Sequence, residues 1–255
     1  MPVRINRMKQ KLREGQPVFG GLLRTPEPSL VEVLGYAGYD YVVLDAEHGA
    51  HSFEALDTLI LSAYASNVTP VVRINDNAPG LIMRVLDLGA QGVLVPHIRN
   101  ADDARRAVSA ALYPPDGSRG IGPNRGSQFG AIPNDEYFKS INQEVAVMLM
   151  MEEAGAVEAI DAITDVKGIT ALSIGLSDLS GSLGVPGQAN HPSVQAAVDT
   201  LMGMAARKGI PVSLSVRGIE EVRDALKRGA RLASIGTLET VLYQALKGWL
   251  QHVTA

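Results

Sequence analysis

Short apolar runs alternate with amphipathic stretches along nearly the whole chain. The runs fall at 18–23 (VFGGLL), 40–45 (DYVVLD), 69–74 (TPVVRI), 92–96 (GVLVP), 145–151 (VAVMLMM), 170–175 (TALSIG), 211–216 (PVSLSV) and 232–236 (LASIG). They are mostly continuous, the pattern of parallel strands covered on both faces. Between them, helical periodicity is read near 28–37, 52–66, 79–89, 101–112, 154–165, 193–208, 218–228 and 238–252. Several helical stretches stop at a glycine: Gly38, Gly89, Gly209 and Gly229. Eight strand–helix units in 255 residues predict an α/β fold, a (β/α)8 TIM-type barrel formed as one domain over 1–255. An open doubly wound sheet would more often carry a glycine-rich phosphate turn after its first strand, and GGLLRTPEP is not one. One connection is out of scale: 113–133 is rich in Gly and Pro and is followed by a short helical piece, NDEYFKSIN. Connections of that length are functional or capping.

Composition narrows the function classes. With 46% hydrophobic and 20% charged residues, the chain can fill a core. A formal charge of −4, with no basic stripe interleaved with aromatics, excludes a general nucleic-acid or anionic-membrane binder. No apolar run reaches the roughly 18 residues of a membrane span, and the opening stretch from Met1 lacks the apolar region of a secretory signal. A cytoplasmic location is the expectation. The absence of cysteine removes disulfide and thiolate chemistry.

Barrel enzymes place their reacting groups at the C-terminal ends of strands. Here those ends offer Arg24, the Asp45/Glu47/His48 cluster, Arg73, His97, Glu152, Asp178 and Ser215. Glu152 and Asp178 stand just past two successive strands, and two carboxylates are costly to bring together without positive charge between them. A hard divalent cation is the simplest candidate. Alternatively, Glu152 and Glu153 favour the start of the next helix, Asp178 caps a short turn and Arg73 pairs with a structural carboxylate. Beside Asp45, which can hold a ring nitrogen, His48 reads as a general base. His51 and His97 lack such a partner in sequence and read as loop residues. The seven lysines (9, 11, 139, 167, 208, 227 and 247) avoid the C-terminal strand ends, which disfavours imine chemistry.

The stretches AGYDYVVLDAEH, PVVRI, LDLGAQGVLVPHI, YPPDGSRGIG and above all GITALSIGLSDLSGSLG resemble the HpcH/HpaI aldolases, over about residues 20–242. The resemblance implies a modified (β/α)8 barrel running metal-dependent (class II) cleavage of a 4-hydroxy-2-oxo acid to pyruvate and an aldehyde, as in the 4-hydroxy-2-oxoheptanedioate and 2-dehydro-3-deoxyglucarate aldolases. It makes Glu152 and Asp178 the protein ligands of Mg²⁺, Mn²⁺ or Co²⁺. Arg73 would hold the pyruvate carboxylate and keto oxygen, His48 with Asp45 would form the acid/base dyad, and Glu47 would order the loop beside the base. The amides of Ser177 and Asp178 would help bind the carboxylate, and Leu214 would line the methyl side. Asp87 matches an aspartate that reaches a neighbouring subunit's site. Family members assemble as hexamers, trimers of dimers with the last helix exchanged.

The chain departs from the family pattern in places. Gly175-Leu176-Ser177-Asp178 stands for the usual Gly-Pro-Ala-Asp, and Met151-Glu152-Glu153 for Ile-Glu-Thr. Leu22-Leu23-Arg24 stands where relatives often carry a tryptophan. Other readings are a lyase acting on a CoA thioester, as in the citrate-lyase-β-like relatives, and a barrel that binds an oxo acid without catalysis. Arg24, Arg125 and Glu153 carry no assigned role; Arg125 either meets an acidic acceptor or is solvated.

Overall fold

A computed structural model describes residues 3–216 and 218–254, so Met1-Pro2, at the start of the stretch read against a secretory signal, lies outside the described residues. Eight parallel strands pair in sequence order and close into a barrel. They are β1 (Val18–Leu23), β2 (Tyr41–Asp45), β3 (Thr69–Arg73), β4 (Gly92–Val95), β5 (Ala146–Met151), β6 (Ala171–Ile174), β7 (Val212–Ser215) and β8 (Leu232–Thr237). The apolar runs locate every strand to within one residue at either end. Around them lie α1 (Arg7–Arg13), α2 (Pro28–Tyr36), α3 (Phe53–Ala65), α4 (Pro79–Asp87), α5 (Ala101–Ala111) and α6 (Asn134–Glu144). They are followed by α7 (Ala154–Glu158), α8 (Ile160–Thr164), α9 (Leu176–Ser182), α10 (Pro192–Lys208), α11 (Ile219–Lys227) and α12 (Leu238–Thr254).

Two of these differ from the periodicity. The single helix expected over 154–165 is broken at Ala159 (φ −94°, ψ 7°) into α7 and α8. The other is α9, which occupies a stretch read as a turn; at seven residues it is too short to show a periodicity. In addition, α1 was not expected; it places Met8 (0% exposed) inside the barrel, where it closes the N-terminal end.

Alternate strand residues divide the core into two layers. Tyr41, Val43, Val71, Leu94, Met148, Met150 and Leu232 face the barrel interior. Val42, Leu44, Val72, Val93, Val95, Val147 and Leu149 face the helices. Because every strand is covered on both sides, the runs read as continuous apolar segments.

The long connection between α5 and α6 packs under the N-terminal end. Arg125 donates through Nε to the Leu88 carbonyl (2.8 Å) and pairs through Nη2 with Asp57. Asn124 is buried and joins the Tyr113 and Tyr137 hydroxyls at 3.0 and 3.2 Å, beside Phe138, whose ring lies 4.8 Å from that of Tyr113. The connection is therefore a cap on the end opposite the strand C-termini, and Arg125 is tied into that cap, away from this chain's own strand C-termini.

At the far end of the chain, α12 leaves Leu242, Tyr243, Leu246, Trp249, Leu250 and Val253 exposed. No helix among the described residues is long and apolar enough to cross a membrane.

Candidate active site

The interior parity continues past the strand ends. Arg24 comes two residues after Leu22, Asp45 after Val43, Arg73 after Val71 and Glu152 after Met150, so all four side chains turn into the C-terminal mouth. Asp45 and Arg73 are also direct partners in the β2–β3 register. Arg73 donates through Nε to Asp45 Oδ1 (2.8 Å) and through Nη2 to Oδ2 (2.6 Å). Its third nitrogen, Nη1, lies 3.1 Å from Glu47 Oε2.

Asp45 is wholly buried and also accepts from Arg24 Nε at 2.9 Å and from the amides of Glu47 and His48, both at 3.2 Å. Burial by itself would raise its carboxyl. The Arg73 guanidinium, the His48 amide and Arg24 outweigh that and hold it below the usual carboxylate range. Arg73 shows the reverse balance: burial lowers it, while Asp45, Glu47 and Glu152 raise it further.

This arrangement corrects the expected dyad. Asp45 does not hold the His48 imidazole; both its oxygens are taken by two arginines and two amides, and it orients His48 only through the main chain. The ring is half-exposed, and its nearest carboxylate is Glu47, with Nε2 3.8 Å from Oε2.

On the facing wall, Glu152 is 2% exposed. Burial pushes its carboxyl up, the amide and charge of His97 oppose this, and the negative charges of Glu47 and Asp178 add to the rise. Oε1 accepts from the His97 amide at 2.8 Å. Around Oε2 the chain leaves room: a Cβ on Gly175 would come within 3.0 Å of that oxygen. A buried carboxylate that meets His97 through Oε1 alone (Nδ1 at 3.4 Å) and keeps Oε2 uncrowded fits a divalent cation.

Glu47, His97 and Glu152 each bring one candidate ligand atom within 4.8 Å of the others. His97 Nε2 is 3.4 Å from Glu47 Oε1, and Nδ1 is 3.2 Å from Glu153 Oε1. Asp178 lies outside that group, in the first turn of α9, but lines the same cavity as Glu152.

His97 is the residue that sequence reasoning missed. Its parity after Leu94 sends it outward, but the backbone there is left-handed (φ 54°), which redirects the chain into the mouth. The available signal was its place just after β4.

A cavity of about 670 Å³ opens among these groups. Arg24, His48, Arg73, Glu152, Ser177 and Asp178 line it together. Leu214 also borders it, but shares the outward layer of its register partners Ile174 and Ala233. Val198 of α10 and Ala225 of α11 line the cavity as well. Asp87 lies elsewhere, at the C-terminus of α4, paired with Arg119 at 2.6 Å.

The sequence pattern of the HpcH/HpaI aldolase/citrate lyase family matches residues 22–245. A 5-keto-4-deoxy-D-glucarate aldolase of Klebsiella pneumoniae subsp. pneumoniae is 34% identical over 233 residues, covering 91% of this chain and 90% of the relative. Among solved structures, an HpcH/HpaI aldolase/citrate lyase family protein from Burkholderia cenocepacia superposes with a TM-score of 0.93 at 31% identity, covering 98% of this chain and all of that one (100%). The citrate synthase SbnG superposes with a TM-score of 0.89 at 30% identity, covering 96% of each chain.

Proposed function

The chain belongs to the HpcH/HpaI aldolase/citrate lyase family, and from that membership we propose a carbon–carbon lyase that reversibly cleaves a 4-hydroxy-2-oxo acid to pyruvate and an aldehyde. One observation carries the reading: a buried carboxylate, Glu152, and a buried guanidinium, Arg73, share one cavity with a histidine. Glu152 and Asp178 would hold a divalent cation, Mg²⁺, Mn²⁺ or Co²⁺, and His97 and Glu47 offer further ligand atoms close to Glu152. When bound, that cation supplies Lewis acidity that stabilises enolate charge.

The side chains divide the remaining work. Arg73, fixed on two carboxylates, presents positive charge where the carboxylate and the developing enolate oxygen of the pyruvate unit lie. The amides of Ser177 and Asp178, which a helix's first turn leaves without an internal acceptor, bind the same carboxylate. In cleavage His48 takes the C4 hydroxyl proton as the C3–C4 bond breaks, its electron pair passes into the enolate, and the aldehyde departs. Reprotonation at C3 gives pyruvate; in synthesis His48 removes that C3 proton. Asp45 and Glu47 act by holding Arg73 and the turn that carries His48.

We read residues 1–255 as one barrel domain in the cytoplasm, assembled as a trimer of dimers that exchanges α12. The exposed apolar row of that helix supports exchange. Asp87, at the end of the barrel remote from its own cavity, would then act on a neighbouring subunit's site.

The test is proton–deuteron exchange at the pyruvate methyl group, followed by NMR in D₂O with Mg²⁺ or Mn²⁺ and with EDTA. Exchange only with metal is expected. Its absence with every divalent cation would overturn the aldolase reading.

A further inference from the structure

The mouth of the cavity carries a second arginine whose fixing leaves its donors available. Arg73 is 7% exposed and commits three nitrogens to Asp45 and Glu47. Arg24 is 44% exposed and uses only Nε, on Asp45 Oδ2 at 2.9 Å. Its two terminal NH₂ groups have no hydrogen-bond or ion-pair partner among the described residues.

The backbone beneath them is anchored from two sides. Glu239, at the start of α12, accepts from the amides of Arg24 (2.9 Å) and Thr25 (2.7 Å) through one oxygen. The Arg24 carbonyl accepts from the Ala50 amide at 3.2 Å. The neighbouring Gly49 packs so close that a Cβ there would come within 2.9 Å of that carbonyl and 3.1 Å of the Arg24 Cα. Arg24 thus stands against the turn that carries His48, and both line the cavity.

Placement suggests use. The proton-transferring histidine must lie next to the aldehyde carbonyl, so a fixed cation beside it meets the remainder of the aldehyde, away from the pyruvate unit held at Arg73. A guanidinium pinned through Nε and open at both terminal nitrogens presents the two-pronged edge that matches an oxyanion.

Resting on the aldolase reading, we propose that Arg24 determines acceptor specificity by binding an oxyanion, carboxylate or phosphate, on the aldehyde. Asp45 is then one carboxylate serving two cations, Arg73 for the pyruvate unit and Arg24 for its partner. The site selects aldehydes with a negative group a short chain away from the carbonyl.

The experiment compares condensation of pyruvate with 4-oxobutanoate, glyceraldehyde 3-phosphate and uncharged butanal, in wild type, Arg24→Gln and Arg24→Lys, with methyl exchange on pyruvate alone measured in parallel. Wild type is expected to favour one of the charged aldehydes, which identifies the oxyanion. Arg24→Gln should lower kcat/KM for that aldehyde about 10- to 100-fold relative to butanal, mainly through KM, and Arg24→Lys should keep part of the preference. A merely structural role, acting through Asp45, would slow both aldehydes together. A charged-to-neutral ratio in Arg24→Gln within about twofold of wild type, with methyl exchange present, would overturn the role of Arg24 alone. No methyl exchange in wild type would overturn the aldolase reading and this inference with it.

Discussion

Each end of the barrel holds a buried arginine paired with an aspartate, Arg73 with Asp45 at the mouth and Arg119 with Asp87 beneath. Arg119 is 1% exposed, meets one carboxylate oxygen at 2.6 Å and lies 4.7 Å over the Tyr113 ring. Its surroundings are aromatic, and the cavity it borders is only about 30 Å³. Arg73 is nearly as buried, but it is gripped by two carboxylates and opens on a cavity that also holds Glu152 and Asp178. Within one chain, the same kind of ion pair packs an arginine against a ring at one end and presents it to a cavity at the other. What separates them is the company each keeps: surplus carboxylates and about 670 Å³ of free volume above, aromatic rings and only about 30 Å³ below.

The largest effect should come from breaking the upper pair. Arg73→Ala is expected to lower kcat/KM for aldol cleavage by about 10³-fold, roughly 4 kcal/mol of transition-state stabilisation. Since removal also leaves Asp45 with a poorer partner, Arg73→Lys is the companion variant. It keeps the charge but not the two-pronged fork, and should still lose about tenfold. Turnover near wild type in both would remove Arg73 from the reaction.

Breaking the lower pair should register in stability. Arg119→Ala loses an ion pair and a stacked ring and leaves a void, together about 2–3 kcal/mol. For a chain of this size that lowers the Tm by about 5–10 °C. An unchanged melting curve would mean that the lower pair does not hold the cap.

The smallest effect tests the surplus negative charge. Glu152 has a raised carboxyl, so its ionised form disfavours the folded state at neutral pH, and that penalty disappears as pH falls through its raised value toward the ordinary glutamate value near ~4.3. Metal-free Glu152→Gln should therefore be more stable than wild type by about 1 kcal/mol at pH 7, while losing Mn²⁺ binding by calorimetry. Asp45 has the opposite sign: its lowered carboxyl contributes stability that is present above the unfolded value near ~3.9 and lost as pH falls further. A destabilised, metal-binding Glu152→Gln protein would contradict the assignment.

Much of the upper site was legible in the chain because polar residues close apolar strands at inward-facing positions. Asp45, Arg73 and Glu152 each follow an interior residue by two, and the strand period carries them into the mouth. What was not legible is partnership. Adjacency suggested that Asp45 serves His48, whereas the β2–β3 register sets it against Arg73, 28 residues away. His97 was hidden by one left-handed residue that reverses its parity. Arg24 was legible at a strand's C-terminal end but had no role, and Arg125 in the long loop had two readings; only the fold sends Arg125 under the barrel and leaves the Arg24 terminal nitrogens open at the cavity.

The sequence by itself determined the eight strands, their two-sided burial and the set of polar residues that end them, because hydrophobic periodicity is a local property that a strand cannot evade once both faces are covered. Only the tertiary structure decided which carboxylate meets which cation. Register, barrel closure and a single turn of backbone bring together groups that are distant along the chain, and charge responds to distance in space.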